Sequence, residues 1–361
     1  MADTLLHRRL RGVSARGPAP DNSAPRLHVV TGKGGTGKTT VAAAMALSLA
    51  ARGHRVLLME VEGRQGIAEL FGTPPLPYDE RWISGVGDEG SVHALAVDAE
   101  QALLEYLDIF YGIRRAAHAL TRLGVVDFAT TVAPGMRDVL LTGKAVEAVR
   151  RRRDPARRSR WSSESDRPVD GDQEFAYDRV VLDGPPTGRI AQFLSVNAEV
   201  AGLAKVGPIR NHAERVMRVI RSPQTAVHFV TTLEEMPVQE SLDGVAQVRD
   251  TGIPVGGLLL NMTREQLLSD AELARAAAGD VDTADLRDAL ESVDTPQASR
   301  AADLLARELV GHARRIGVEK RMRHRLEEVE LPVTSLPLLP DGVDPAGLRE
   351  LAKHLTAVGT P

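Results

Sequence analysis

Short apolar runs alternate with longer amphipathic stretches along most of the chain. Leu27-His28-Val29-Val30 is followed, after a glycine-rich gap, by Val41-Ala42-Ala43-Ala44-Met45-Ala46-Leu47. A short apolar run bounded by turn residues suits a strand buried on both faces, and a longer one suits a helix packed on it. The alternation continues to the end of the chain. Arg55–Val61, His93–Val97, Arg179–Asp183, Ala226–Val230, Val255–Leu260 and Pro332–Leu336 read as strands. Helices are expected over Ala99–Arg153, near Val238–Asp250, over Thr263–Glu328 with a break around Gly279–Thr283, and over Pro345–Val358. Strands separated by helices predict an α/β fold with a doubly wound, mostly parallel sheet. The long helical stretch, about residues 99–150, is read as an embedded helical subdomain.

Two segments break the pattern. Residues 150–174 carry Arg150, Arg151, Arg152, Arg153, Arg157, Arg158 and Arg160, then serines and acids, with almost no aliphatic side chain. Such a composition buries too little apolar surface to offset its ordering entropy, so a disordered insertion is expected. Residues 1–25 mix four arginines with prolines and lack the apolar stretch of a secretory signal, which suggests a flexible tail. The remainder, residues 26–361, is read as one domain with its insertions.

Composition narrows the chemistry. Hydrophobic residues make up 43% of the 361, enough for a real core, and aromatic residues only 3%, so that core is aliphatic. A net charge of -4 gives no general drive toward nucleic acid or an anionic membrane. No cysteine occurs, which removes disulfides, zinc thiolates and thiolate binding of arsenite. No run of about 18 apolar residues is present. A cytoplasmic protein with at most peripheral membrane contact is expected.

The gap after the first strand carries the strongest signal. Gly32-Lys33-Gly34-Gly35-Thr36-Gly37-Lys38-Thr39 lies between a strand and a helix start, the context that a phosphate-binding loop requires. Backbone N–H groups of Gly34, Gly35, Thr36, Gly37, Lys38, Thr39 and Thr40 would cradle the phosphates of ATP, aided by the helix N-terminus. Lys38 would reach the β- and γ-phosphates, and the Thr39 hydroxyl would sit on Mg²⁺. Val180-Val181-Leu182-Asp183 is an apolar strand ending in a carboxylate, which would join the Mg²⁺ shell. In Glu60-Val61-Glu62-Gly63-Arg64-Gln65-Gly66, Glu62 stands in the loop and is the candidate for orienting the attacking water. Glu60, still on its strand, is read as structural or as the next candidate. Lys33 follows the first glycine too early to do the work of Lys38.

These residues resemble the arsenite-pump and tail-anchored-protein-targeting ATPase family, especially its actinobacterial branch. The match covers Gly32–Thr40, Leu57–Phe71 and Asp183–Gly188, where Asp183-Gly184-Pro185-Pro186-Thr187-Gly188-Arg189 mirrors the family's Asp-Thr-Ala-Pro-Thr-Gly-His. Ala133-Pro134-Gly135-Met136 is similar to a helix start in the client-facing subdomain. The resemblance implies a fold of the P-loop NTPase type and Mg²⁺-dependent ATP hydrolysis. It implies a dimer, with itself or with a paralogous ATPase, in which Lys33 reaches the partner's nucleotide. It implies that Asn261 and the loop ending at Pro340 border the adenine, and that a protein client or partner docks on the helical subdomain. Departures are Glu62-Gly63-Arg64-Gln65 where the family has Asp-Pro-Ala-His, and the missing cysteines of the metalloid site and zinc clasp. A poorly hydrolysing partner subunit, or a partition- or cell-division-type ATPase, is the alternative reading.

Overall fold

The computed structural model describes residues 24–87, 90–111, 135–153, 174–203 and 207–358. The tail and most of the arginine-rich insertion lie outside these residues. The chain folds as an α/β protein around one eight-stranded sheet. Its strands are β1 (Leu27–Gly32), β2 (Arg55–Glu60), β3 (Arg81–Val86), β4 (Gly90–Ala96), β5 (Arg179–Asp183), β6 (Thr225–Thr231), β7 (Val255–Thr263) and β8 (Val333–Pro337). They are ordered β3-β4-β2-β5-β1-β6-β7-β8. All neighbours run parallel except β3 and β4. The connection from β1 to β2 runs one way along the sheet and that from β5 to β6, which passes β1, runs the other way, and such a reversal leaves a crevice at the C-terminal end of β1.

The central strands β1, β5 and β6 are buried at every position, as strands covered on both faces must be. Helix α1 (Lys38–Ala50) is apolar nearly all round and almost wholly buried on one face of the sheet. There it packs with the closing helix Pro345–His354. Leu27, Val29, Leu57, Val180, Leu182 and Phe229 belong to the apolar cluster of the other face.

Several boundaries differ from expectation. The strand anticipated at His93–Val97 spans Gly90–Ala96, and β3 forms an antiparallel ribbon with it that the apolar pattern did not reveal. The stretch expected as one broken helix, Thr263–Glu328, contains three: Asp270–Ala277, Thr283–Ser292 and Ala298–Glu327. The break near 279–283 is present, with the Asp282 carboxylate accepting from Ala284 and Asp285 as an N-cap. A second break follows, where Asp294 and Gln297 both take left-handed backbone angles. The last strand begins at Val333, because Pro332 has no N–H for the ladder and contributes only its carbonyl, to Leu258. Helices Thr187–Leu203 and Pro208–Ile220 were not anticipated. In the expected helical subdomain, Ala99–Tyr111 and Met136–Arg150 are helical. Among the described residues no helix is long and apolar enough to cross a membrane.

One polar pair sits inside the sheet. His28 Nδ1 and His228 Nε2 lie 3.1 Å apart, fully enclosed, on neighbouring strands. Burial holds the His228 imidazole down to about 4. Burial first, then His228 and Arg179, hold His28 well below its ordinary value. Both rings therefore stay neutral in the fold, while in the unfolded chain they titrate near 6.5. The pair's contribution is complete above that value and is lost as pH falls from about 6.5 toward about 4. Substituting His228→Gln should therefore cost less at pH 5 than at pH 7, by about 2 kcal/mol. Denaturant unfolding of both proteins at the two pH values measures this, and a pH-independent difference would contradict it.

Candidate nucleotide site

The sequence motif becomes a loop by closing on itself. Thr36 donates from both its N–H and its hydroxyl to Lys33 O, at 3.3 and 2.8 Å. Gly35 and Gly37 take φ of 88° and 84°, the left-handed region that glycine enters without penalty. At Gly37 space matters as well: a Cβ there would stand 2.4 Å from Asn261 Nδ2. That amide nitrogen donates to Thr36 O at 2.9 Å, so Asn261, at the end of β7, braces the loop. The family resemblance implies that Asn261 borders the adenine; the structure shows its amide nitrogen bonded to the loop. Pro340 is exposed on the turn after β8 and lines neither of the cavities described below.

Strand register brings the charged groups together. Asp183 pairs with Val30 on one side and with Glu60 on the other, so three strand ends converge beside the loop. The Thr39 hydroxyl donates to Asp183 Oδ2 at 2.7 Å. Asp183 Oδ1 is buried and has no hydrogen-bond partner among the described residues. Burial raises the Asp183 carboxyl to about 7, and the Glu60 and Glu62 charges push the same way. The Thr39 hydrogen bond and the Lys38 charge oppose this shift. Lys38 is 8% exposed and forms no ion pair among the described residues. A cavity of about 230 Å³ is lined by Gly35, Gly37, Lys38, Thr39, Glu60, Glu62, Arg64 and Asp183. The predicted Glu62, Lys38, Thr39 and Asp183 thus share one enclosure. Thr40 lies in the first turn of α1 outside that lining, and Gly34 faces the neighbouring cleft.

These groups fit Mg²⁺ and a nucleotide phosphate. Among the described residues, Asp183 Oδ1 is an acceptor without a donor, and Lys38 is a nearly buried cation without a direct ion pair. Mg²⁺ is commonly held by one or two protein oxygens together with substrate phosphates, as Asp183 and Thr39 could provide.

Lys33 stands outside that enclosure: it is 30% exposed and its ammonium lies 3.1 Å from Glu240 Oε1. Glu240 comes from the helix Glu235–Asp250, whose register against the loop is a tertiary matter. The pair borders a second cleft, of about 510 Å³, between Lys33, Gly34, Pro186–Gly188 and Asp243–Gly244.

Sequence reasoning missed four further residues. Arg137 donates to Val61 O at 3.2 Å, and Arg189 lies 3.0 Å from Asp138 Oδ2. Arg137 and Asp138 adjoin at the start of the helix Met136–Arg150. One helix start therefore touches both the loop after β2 and the segment after β5. Gln65, in the loop after β2, bonds the backbone of Leu76 through its side chain. The motif spacing marked the loops, but nothing in it marks their contacts.

The raised Asp183 carboxyl makes a prediction with a defined sign. Its ionisation costs the fold nothing below about 3.8 and most above about 7. Asp183→Asn should therefore stabilise the nucleotide-free protein at pH 8 by about 4 kcal/mol, a gain that shrinks toward pH 4. The same variant should bind Mg²⁺-nucleotide at least about tenfold more weakly. Thermal unfolding and nucleotide titration check the two halves.

Comparison with known proteins gives this geometry its context. A sequence model of the family described as anion-transporting ATPase matches residues 26–322. The chain is 46% identical over 339 residues to ATPase BagA of Mycobacterium tuberculosis, covering 93% of this chain and 94% of that one. It is 24% identical over 236 residues to a protein of Chlorobaculum tepidum named "putative arsenical pump-driving ATPase", covering 62% of this chain and 48% of the other. Phosphate loop, carboxylate strand end and doubly wound sheet agree with these matches: the chain belongs to the anion-transporting, ArsA-type ATPase family.

Proposed function

We propose that this chain binds Mg²⁺-ATP at the loop Gly32–Thr39, hydrolyses it, and uses the nucleotide state to control a protein partner. The observation that carries this reading is the juxtaposition of Lys38, Thr39, Asp183 and Glu62 around one cavity at the end of β1. Backbone N–H groups of the loop and the first turn of α1 would hold phosphate oxygens. Lys38 would compensate their charge. Asp183 and Thr39 would hold Mg²⁺, which when bound neutralises charge that develops on the phosphates. Glu62, paired loosely with Arg64 at 3.7 Å, would orient the attacking water.

The partner is a second copy or a paralogous ATPase. Lys33 supports this reading because it lies at the cleft rim, outside the cavity that holds Lys38. In the single chain Glu240 occupies it. Pairing of two chains across their nucleotides would exchange that carboxylate for a partner's phosphate, a stronger acceptor. The contacts of Arg137 and Asp138 would pass the resulting loop shifts to the helix Met136–Arg150, where a client could dock.

Steady-state hydrolysis, measured alone and with a paralogue, tests the enzyme reading. Glu62→Gln should lower kcat at least about tenfold and leave ATP affinity within about twofold, since water is polarised only in the transition state. Unchanged turnover would remove Glu62 from the chemistry. Sedimentation with a non-hydrolysable ATP analogue should show association that Lys33→Ala weakens. A chain that stays monomeric with nucleotide, alone and with its paralogue, would exclude the dimer.

A further inference from the structure

Glu60 is the last residue of β2, 2% exposed, and lies in register with Asp183. Two carboxylates so placed repel, and each has lost most of its hydration. Such a group persists only where its oxygens are well occupied. Glu60 Oε1 accepts the N–H of Gln65 at 2.5 Å, and Oε2 accepts the N–H of Ile67 at 3.3 Å. Both donors come from the far side of the loop that begins at Val61. Glu60 thus closes that loop across its base.

Gln65 closes it a second time. Its side chain accepts from Leu76 N at 2.6 Å and donates to Leu76 O at 3.2 Å, a two-point bond of the kind strands make. Its backbone holds φ of 59°, a region that a side-chain-bearing residue occupies only when its surroundings over-determine it. At the other end, Arg137 holds Val61 O. Glu62 stands between these fixed points.

We infer that Glu60 and Gln65 are positioning residues, which hold the loop so that Glu62 stays in the cavity with Asp183. This rests on the reading of the site as an ATPase centre. It assigns Glu60 away from water activation, since each of its oxygens already serves a loop N–H. It also explains how a glutamate, with one more rotatable bond than aspartate, is kept at a defined place: the backbone on both sides of it is tied down.

Two measurements on the full chain decide the matter. In the nucleotide-free protein, Glu60→Ala should speed hydrogen exchange at the Gln65 and Ile67 amides at least about tenfold and leave α1 unchanged. If that variant fails to fold, Glu60→Gln, which keeps one acceptor oxygen, should lose protection at one of the two amides. In hydrolysis, Gln65→Ala should lower kcat at least about tenfold, change ATP affinity less than about threefold, and add nothing further in a Glu62→Gln background. Gln65→Gly, which accepts the positive φ but lacks the clamp, should behave like Gln65→Ala. Unchanged exchange, equal losses of kcat and affinity, or additive effects with Glu62→Gln would each overturn the assignment. A wild-type chain that hydrolyses no ATP, alone and with a paralogue, would overturn the ATPase reading and this inference with it. Wild-type hydrolysis with additive variants would overturn the positioning role alone.

Discussion

The carboxylate of Asp183 is the constraint on which the site turns. It ends a strand buried on both faces, beside two other carboxylates, with one oxygen bonded to Thr39 and the other without a hydrogen-bond partner among the described residues. Ionising a group there is costly unless a cation compensates it. Lys38 stands nearby, with no direct ion pair to it among the described residues. A ligand that brings a cation and phosphates together satisfies Asp183 and Lys38 at once. Binding of such a ligand would relieve this cost, so stability and the proposed function would pull against each other at this residue.

The surrounding frame keeps that arrangement in place. Parallel strands with apolar side chains on both faces are difficult to slide, because every position is already packed. Their C-terminal ends therefore present Gly32, Glu60 and Asp183 at set heights. Movement is left to the connections. Thr31 and Val30 tie the segment after β5 to β1 through the Pro185 carbonyl and the Gly184 N–H. Glu60 and Gln65 tie the loop after β2. Arg137 and Asp138 join both to one helix start, so a shift in either connection is felt at the same place. Lys33 stands apart, with a surface carboxylate for a partner, in a pair that contributes little because both groups are partly hydrated.

Much of this protein was legible in its sequence. Apolar runs located most of the strands, because burial on both faces demands particular residues, and the glycine and strand-end motifs picked out Lys38, Thr39 and Asp183, which the structure brings to one cavity. The expected α/β fold and the family membership both stand. Local signals also found the break at Asp282, a capping residue whose effect reaches only a few positions.

What only the tertiary structure decided has a common cause: it depends on which distant segments meet. The half-exposed ribbon strand Arg81–Val86 carries no continuous apolar run, so its pairing with β4 was invisible. Asn261 bonds the loop at Thr36, and Glu240 meets Lys33, across separations that no spacing rule spans. The sequence by itself determined which residues could bind a nucleotide. Register between β2, β1 and β5 decided that Glu60 pairs with Asp183, and tertiary contacts decided that Gln65 bonds Leu76 from a left-handed turn. Side-chain chemistry is written residue by residue, but the direction in which a carboxylate points is set by the packing of strands far apart in the chain.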